Sequence, residues 1–494
     1  MNKILLALVT LFFILPSFSQ QLTATSPEFP GTPYSGKFDM FRSNDSRSFK
    51  KSILYTGGEE VIFTMSSSKK DDESVVKMNA SMNILWQTPI KDKVLFISRL
   101  KNKILVISTP DWKKSNDKFL KKMNAALLDP STGKVLAEKS IFENNAHIHI
   151  DPDFFADDNN DFQGILIRYT ADKKKHWSLK SDIRKRYTNK LDLISIDSEL
   201  AIQSRTLTSG LSDEAEFMGS AMNKRGEIFL VGCSDNLLFA EKYPVNGTIS
   251  SAKLSTAYDA KVDTYKFGEN DYKHGQLNID ESGNLLAVAF SYRNPKYDNS
   301  ILAVLFNFTE GKTYQQDEQF TKAHKKELKI SNLDDLKVSS VQFYGDKIIV
   351  CKETQTITLP PTQNSSVRFS SSQIIVSVYD KNLKFLKDLF FGRYYEAFKP
   401  DQKFAGYTIN DHFLYVLYTD IAGAAKYATI LGKIDLDKLE IILNSIVVDR
   451  GSVDKGSGIE AAACLWFDKM LILPYIIELR QKKEATIFQK IKLN

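Results

Sequence analysis

An all-β chain made of eight repeats of a four-stranded antiparallel sheet is the fold class this sequence predicts. Three observations predict it. A hairpin pattern (an apolar run, a tight polar turn, a second apolar run) recurs eight times along the chain. Most of these hairpins are followed, after a variable loop, by a second and weaker hairpin, so the unit is four strands. The second strands begin near residues 61, 104, 165, 228, 285, 348, 413 and 470, a spacing of 43 to 65 residues, which marks a repeat architecture.

The inner hairpins, in order, are residues 52–65 (SILYTGGEEVIFTM), 94–108, 147–169, 217–232, 275–290 (GQLNIDESGNLLAVAF), 338–350, 404–418 (FAGYTINDHFLYVLY) and 459–473. Their turns use Gly, Asp, Asn and Lys, as tight hairpins require, and only the third carries a long insert. Outer hairpins are clearest at 125–137, 191–202, 301–313, 374–386 (IIVSVYDKNLKFL) and 428–441. Solenoid repeats are shorter, and antiparallel hairpins suit the blades of a ring, so the sequence predicts a β-propeller with eight four-stranded blades. Seven blades plus a terminal hairpin is the alternative. The last unit ends after its third strand. Residues 36–48 (GKFDMFRSNDSRS) are then the candidates to supply the missing outer strand and close the ring.

The segment 278–285 (NIDESGNL) resembles the inner hairpin common to many β-propeller proteins. No Trp-Asp strand ends, no paired glycines of the kelch type and no Asp-box accompany it. The resemblance therefore implies a fold and not an activity.

Before the repeats stands a leader. Lys3 supplies a positive start, residues 4–15 are apolar, Pro16 breaks the run, and Ser17-Phe18-Ser19 places small residues where a signal peptidase reads. Cleavage is expected after Ser19 or after Gln20. The domain reading is a signal peptide at 1–19, a lead-in at 20–50 and the propeller at 51–494. The protein is expected to be exported to the periplasm or the extracellular space. No later stretch is long and apolar enough to span a membrane as a helix.

Composition sets the class. The chain of 494 residues is 43% hydrophobic and 26% charged, enough to bury a large core rather than stay disordered. Its formal charge is +6, of which the leader's Lys3 contributes one. Three cysteines (Cys233, Cys351 and Cys464), each in or beside an apolar run, argue against a disulfide framework.

In a four-stranded blade the first and third turns share one face. The second loop and the crossover to the next blade share the other. Here the first face has tight turns and the second has long loops, so binding groups are expected on the second. Blades two and three place basic loops there. Lys173, Lys174, Lys175, Arg184 and Arg186 with Trp177 form the densest of these, preceded by Lys113, Lys114, Lys118, Lys121 and Lys122. Such a patch attracts carboxylate, sulfate or phosphate groups. A second candidate is the crossover 390–404, where Arg393, Tyr394 and Tyr395 would make a stacking platform.

For metal chemistry the best constellation is His147, His149 and Asp151, which alternate along one strand and so point to one side. Two imidazoles and a carboxylate could hold a divalent ion, the one cofactor the sequence suggests. The acidic insert 157–161 lacks the Gly and Glu that a calcium loop needs. No nucleophile elbow, phosphate loop or zinc-protease helix is present. The reading is an exported, non-catalytic propeller. It binds a protein or an anionic polymer at an envelope or extracellular surface, with no nucleic-acid partner. The alternative is a glycan hydrolase or lyase with its site at the channel mouth.

Overall fold

The protein is described here by a computed structural model. It describes residues 21–27, 29–30, 53–66, 73–110, 120–144, 149–156, 161–172, 186–207, 216–234, 237–246, 248–255, 265–267, 270–272, 275–292, 300–319, 336–354, 356–358, 368–397, 405–421, 427–449, 458–459, 464–467, 469–479 and 483–493.

Eight antiparallel blades form, and in blades 1 to 7 the four main strands follow chain order across the sheet. Blade 1 is Ile53–Gly57, Glu60–Ser66, Glu73–Met78 and Ile84–Ile90. Blade 2 is Lys93–Leu100, Lys103–Thr109, Lys122–Leu128 and Val135–Glu143. Blade 3 is His149–Ala156, Phe162–Asp172, Arg186–Asp197 and Ile202–Leu207. Blade 4 is Glu216–Met222, Ile228–Ser234, Leu237–Tyr243 and Ser250–Ser255. Blade 5 is Gly275–Ile279, Leu285–Tyr292, Ser300–Asn307 and Lys312–Gln319. Blade 6 is Leu336–Tyr344, Lys347–Thr354, Arg368–Asp380 and Phe385–Ala397. Blade 7 is Gly406–Asn410, Phe413–Ile421, Tyr427–Asp435 and Glu440–Asp449. Blade 8 holds Leu465–Phe467 with Gly458–Ile459, then Met470–Leu479 and Lys483–Lys492.

The outer strand of blade 8 comes from the other end of the chain. Gln21–Thr25 pairs antiparallel with Lys483–Lys492, Gln21 facing Lys492. Ser26 locks the join: its N–H donates to the Phe488 carbonyl and its Oγ accepts from the Phe488 N–H, both at 2.9 Å. The ring is thus closed by residues 21–25. The expected donor, residues 36–48, lies outside the described residues.

Each blade is covered on both sides, so its middle strands read as unbroken apolar runs rather than as alternation. Ile348, Ile349, Val350 and Cys351 are buried in succession, and so are Leu286 to Phe290. The core is correspondingly split into eight clusters, one per junction. Blade 8 meets blade 1 through Ile472 and Phe488 on Phe63 and Val76. Blade 7 meets blade 8 through Leu417 and Leu431 on Leu471 and Leu473. The remaining six junctions follow the same pattern.

The outer hairpins share a local device. An Asx side chain at the end of the third strand caps the turn, and the residue three positions on takes a left-handed φ. Asp380 Oδ1 accepts from the N–H groups of Asn382 (2.8 Å) and Lys384 (2.9 Å), with Leu383 at φ 61°. Asp197 with Leu200 (φ 58°) and Asn79 with Met82 (φ 64°) repeat it. A left-handed non-glycine residue is strained by about 1–2 kcal/mol. These positions keep a side chain because it is buried between blades, Leu383 at 1%, Leu200 at 2% and Met82 at 0% exposure. Leu383→Ala keeps the strain and loses the plug. It is expected to cost about 2–5 kcal/mol, read as a shift in the denaturant midpoint.

Candidate functional site

The two faces of the ring are built differently. On the tight-turn face, each of several blades sends a polar side chain to the turn carbonyls of the next. Lys490 of blade 8 donates to the Ala80 carbonyl at 2.9 Å and pairs with Glu59. Lys77 and Trp86 of blade 1 both donate to the Pro130 carbonyl (2.9 and 3.1 Å). Lys103 of blade 2 reaches the Ser198 carbonyl (2.8 Å), and Lys139 the Leu200 carbonyl (3.0 Å). Arg205 of blade 3 donates to the carbonyls of Pro244 and Val245, and Lys242 of blade 4 to that of Gly283 at 2.9 Å. A bond from a charged donor is worth about 1.5–3 kcal/mol. The polar groups of this face are therefore largely spent on holding blade to blade.

The opposite face carries the long connections. The basic loop of blade 2 joins Lys103–Thr109 to Lys122–Leu128. That of blade 3 joins Phe162–Asp172 to Arg186–Asp197. Both link a second strand to a third, so they leave the ring on the same face from adjacent blades. Lys173, Lys174, Lys175, Trp177 and Arg184 lie outside the described residues. Arg186 opens the third strand of blade 3, paired with Asp172.

At the root of this loop the structure shows a small polar network. Lys190 Nζ is 2.7 Å from Asp192 and 4.8 Å above the Tyr169 ring. Thr206 Oγ1 donates to Asp192 Oδ1 at 2.7 Å. Burial pushes the Asp192 carboxyl up, but bonds from Lys190, Thr206 and Tyr169 outweigh it and hold the carboxyl below its ordinary value. Burial, and then Asp192, push the Tyr169 phenol well above its ordinary value. Lys190 is thus held against the blade by Asp192 and the Tyr169 ring.

Of the expected stacking platform, the structure corrects Arg393. Arg393 is buried, because along Phe385–Ala397 the odd residues Phe391 and Arg393 turn inward while Gly392 faces out. Its guanidinium meets Glu353 of the same blade at 3.0 Å, both side chains at 0% exposure. It also donates to the Thr419 carbonyl of blade 7 at 2.9 Å. Glu353 further accepts from the Ala405 N–H (3.1 Å) and from Tyr407 Oη (2.8 Å). Ser339 Oγ lies 3.1 Å from that same hydroxyl. Burial and then Glu353 raise the Tyr407 phenol well above its ordinary value. This is a sealed strut between blades 6 and 7, inaccessible to a sugar or peptide. Tyr395 pairs with Ser371 through the backbone. The side chains of Tyr394 and Tyr395 lie outside the described residues.

Of the metal candidates, His149 and Asp151 lie on the inner strand of blade 3, facing Thr170 and Arg168 across the sheet. His147 lies outside the described residues. The cation seated beside this strand is the Arg168 guanidinium. It stands 3.5 Å from Asp153 and 4.2 Å above the Phe217 ring, while Ser220 Oγ donates to Asp153 at 2.6 Å. Among the described residues no three His, Cys, Asp or Glu side chains converge as metal ligands. Sequence reasoning missed the buried carboxylates Glu353 and Glu73. Glu73 is the counterpart strut in blades 1 and 2, pairing with Lys93 (2.7 Å) and accepting from the Val94 N–H (2.9 Å).

No family model matches the chain, and no curated protein does either. Among solved structures it is similar to an oligogalacturonate lyase in complex with manganese. The identity is 8% and the TM-score 0.41, over 96% of this chain and 98% of that one. It is similar to prolyl oligopeptidase B from Galerina marginata, with 9% identity and a TM-score of 0.40 over 87% of this chain. There it spans only 56% of the other protein's length. The β-propeller domain of the Trilobed protease from Pyrococcus furiosus gives 11% identity and a TM-score of 0.36, over 81% of this chain and 99% of that one. These likenesses are of fold alone.

Proposed function

We propose that the protein is an exported, non-catalytic propeller that binds an anionic polymer through its long-loop face. One observation carries the reading: the lysine-rich connections 110–121 and 173–185 each join a second strand to a third, in adjacent blades, and so belong to the same face of the ring. A cluster of cations on loops held by rigid strands attracts sulfate or carboxylate groups along a chain, and contacts of this kind weaken with salt. Export is supported by the leader at residues 1–19. Cleavage after Ser19 or Gln20 leaves the whole closing strand Gln21–Thr25 on the mature protein.

The test is titration of the mature protein with dextran sulfate, with neutral dextran as control, at low and at moderate salt. Binding to the sulfated polymer alone, weakening as salt rises, is expected. The variant K173Q/K174Q/K175Q/R184Q is expected to lose at least about tenfold in affinity, since each surface charge near a polyanion contributes a fraction of a kcal/mol to about 1 kcal/mol. Unchanged affinity in that variant overturns the patch. Appearance of new reducing or unsaturated ends in an anionic glycan overturns the non-catalytic reading in favour of a hydrolase or lyase.

A further inference from the structure

Arg168 and Arg393 each stand between two blades and meet a carboxylate, but they are satisfied differently. Arg393 lies 3.0 Å from Glu353 with both side chains at 0% exposure, and it donates to the Thr419 carbonyl. Arg168 Nε stands 3.5 Å from Asp153 Oδ2, and the two side chains keep 17% and 18% of their surface. That is too long for a good hydrogen bond. Arg168 Nε is buried and, among the described residues, has no hydrogen-bond partner. The exposed part of the side chain therefore lies elsewhere than at Nε. The oxygen it faces, Asp153 Oδ2, already accepts from Ser220 Oγ at 2.6 Å.

Local structure explains this placement. On the second strand of blade 3, Leu166 and Arg168 share one side, since alternate residues of a strand do. Leu166 packs there in the cluster with Phe217, Ile228 and Leu230 of blade 4. Asp153 stands across from Leu166 on the inner strand, diagonal to Arg168. The guanidinium of Arg168 lies 4.2 Å above the Phe217 ring. Phe217 is near the start of the first strand of blade 4, Glu216–Met222, which begins where the crossover from blade 3 arrives. Crossovers belong to the long-loop face. The strand that carries Arg168 also runs on into the lysine-rich connection, and Lys173 follows five residues later, about 16 Å at the rise of a strand.

We infer that Arg168 takes one oxyanion group, a carboxylate or a sulfate ester, of the polymer held on the long-loop face. As a subsite it rests on the polymer-binding reading. A guanidinium fork meets such a group with two parallel N–H bonds, and stacking on a ring holds its plane. The lysines of the loops act as point charges on any polyanion, whereas the fork selects the group that it holds. Asp153 is the competitor for that cation. Ser220 anchors it, and at 3.5 Å it offsets the charge of Arg168 without bonding its Nε.

The experiment is arginine footprinting of the full mature protein with phenylglyoxal, mapped by peptide mass, beside polymer titrations. Sodium sulfate and sodium acetate are the free oxyanions, with sodium chloride at equal ionic strength as control. Arg168 is expected to be labelled in chloride and protected by an oxyanion. Protection by sulfate alone names a sulfate ester, by acetate alone a carboxylate, and by both an oxyanion of either kind. R168K keeps a cation beside Asp153 but loses the fork. It is expected to bind dextran sulfate or carboxymethyl dextran about tenfold or more weakly, the worth of one charge-assisted bond, with its salt dependence kept. K173Q/K174Q/K175Q/R184Q is expected instead to flatten the salt dependence. D153N removes the competing carboxylate and is expected to bind the polymer several-fold more tightly, a gain that a merely structural ion pair would not give. An Arg168 that stays unlabelled in chloride, or that neither oxyanion protects, overturns the subsite. So does a folded D153N protein that binds no tighter than the wild type. A wild type that binds neither polymer overturns the polymer reading, and the footprint with the free anions then decides the oxyanion site by itself.

Discussion

Replacing Arg393 with methionine is expected to lower the stability of the ring by about 3–5 kcal/mol, the usual cost of leaving a buried partner charge behind. Glu353 would keep the Ala405 N–H and the Tyr407 hydroxyl but lose the only cation that the structure places against its carboxylate among the described residues. The Thr419 carbonyl of blade 7 would lose its donor at the same time. The paired change E353L/R393M removes both charges. It is expected to cost less than R393M alone, because a buried ion pair gains little over a well-packed apolar pair. Denaturant midpoints of the three proteins settle this. A double variant less stable than the single one would show that the strut itself, and not the uncompensated charge, carries the energy. Binding to dextran sulfate should be unchanged in all three, since the strut is sealed.

Removal of residues 21–26 is expected to open the ring. The deletion takes away the strand that pairs with Lys483–Lys492, including both bonds between Ser26 and Phe488. At about 1 kcal/mol net for each hydrogen bond, the loss is several kcal/mol before packing is counted. It also bares the edge of Lys483–Lys492 as a template for association. A lowered midpoint, a broader transition and concentration-dependent aggregation are expected in denaturation and light scattering. A truncated protein that unfolds like the intact one would mean that the interblade clusters close the ring unaided. The corresponding point change S26A removes one acceptor and is expected to cost about 1 kcal/mol.

The eight inner hairpins were legible because everything that makes them is local. Alternation, short apolar runs and Asx- or Gly-bearing turns sit within about fifteen residues of one another, and the strands form where that reading puts them. The turn chemistry was legible in kind but not in consequence. Asp380-Lys381-Asn382-Leu383 reads as a turn, yet nothing local says that Leu383 fills the gap to blade 5. Closure was not legible. Gln21–Thr25 is five residues with no pattern of its own, and the strand it joins is remote in the chain: Thr23 donates to the Lys490 carbonyl across 467 positions. Arg393 shows the same limit. Its strand is plain in the sequence, but which side of a blade meets a neighbour is decided by how the blades stack.

By itself, then, the sequence determined the repeat, the blade count and the tight-turn and long-loop faces, because these follow from period and turn chemistry. Only the tertiary structure decided which strand closes the ring and that Arg393 is a strut and not a ligand contact. Each of those depends on contacts between residues far apart in the chain, and such contacts leave no local trace.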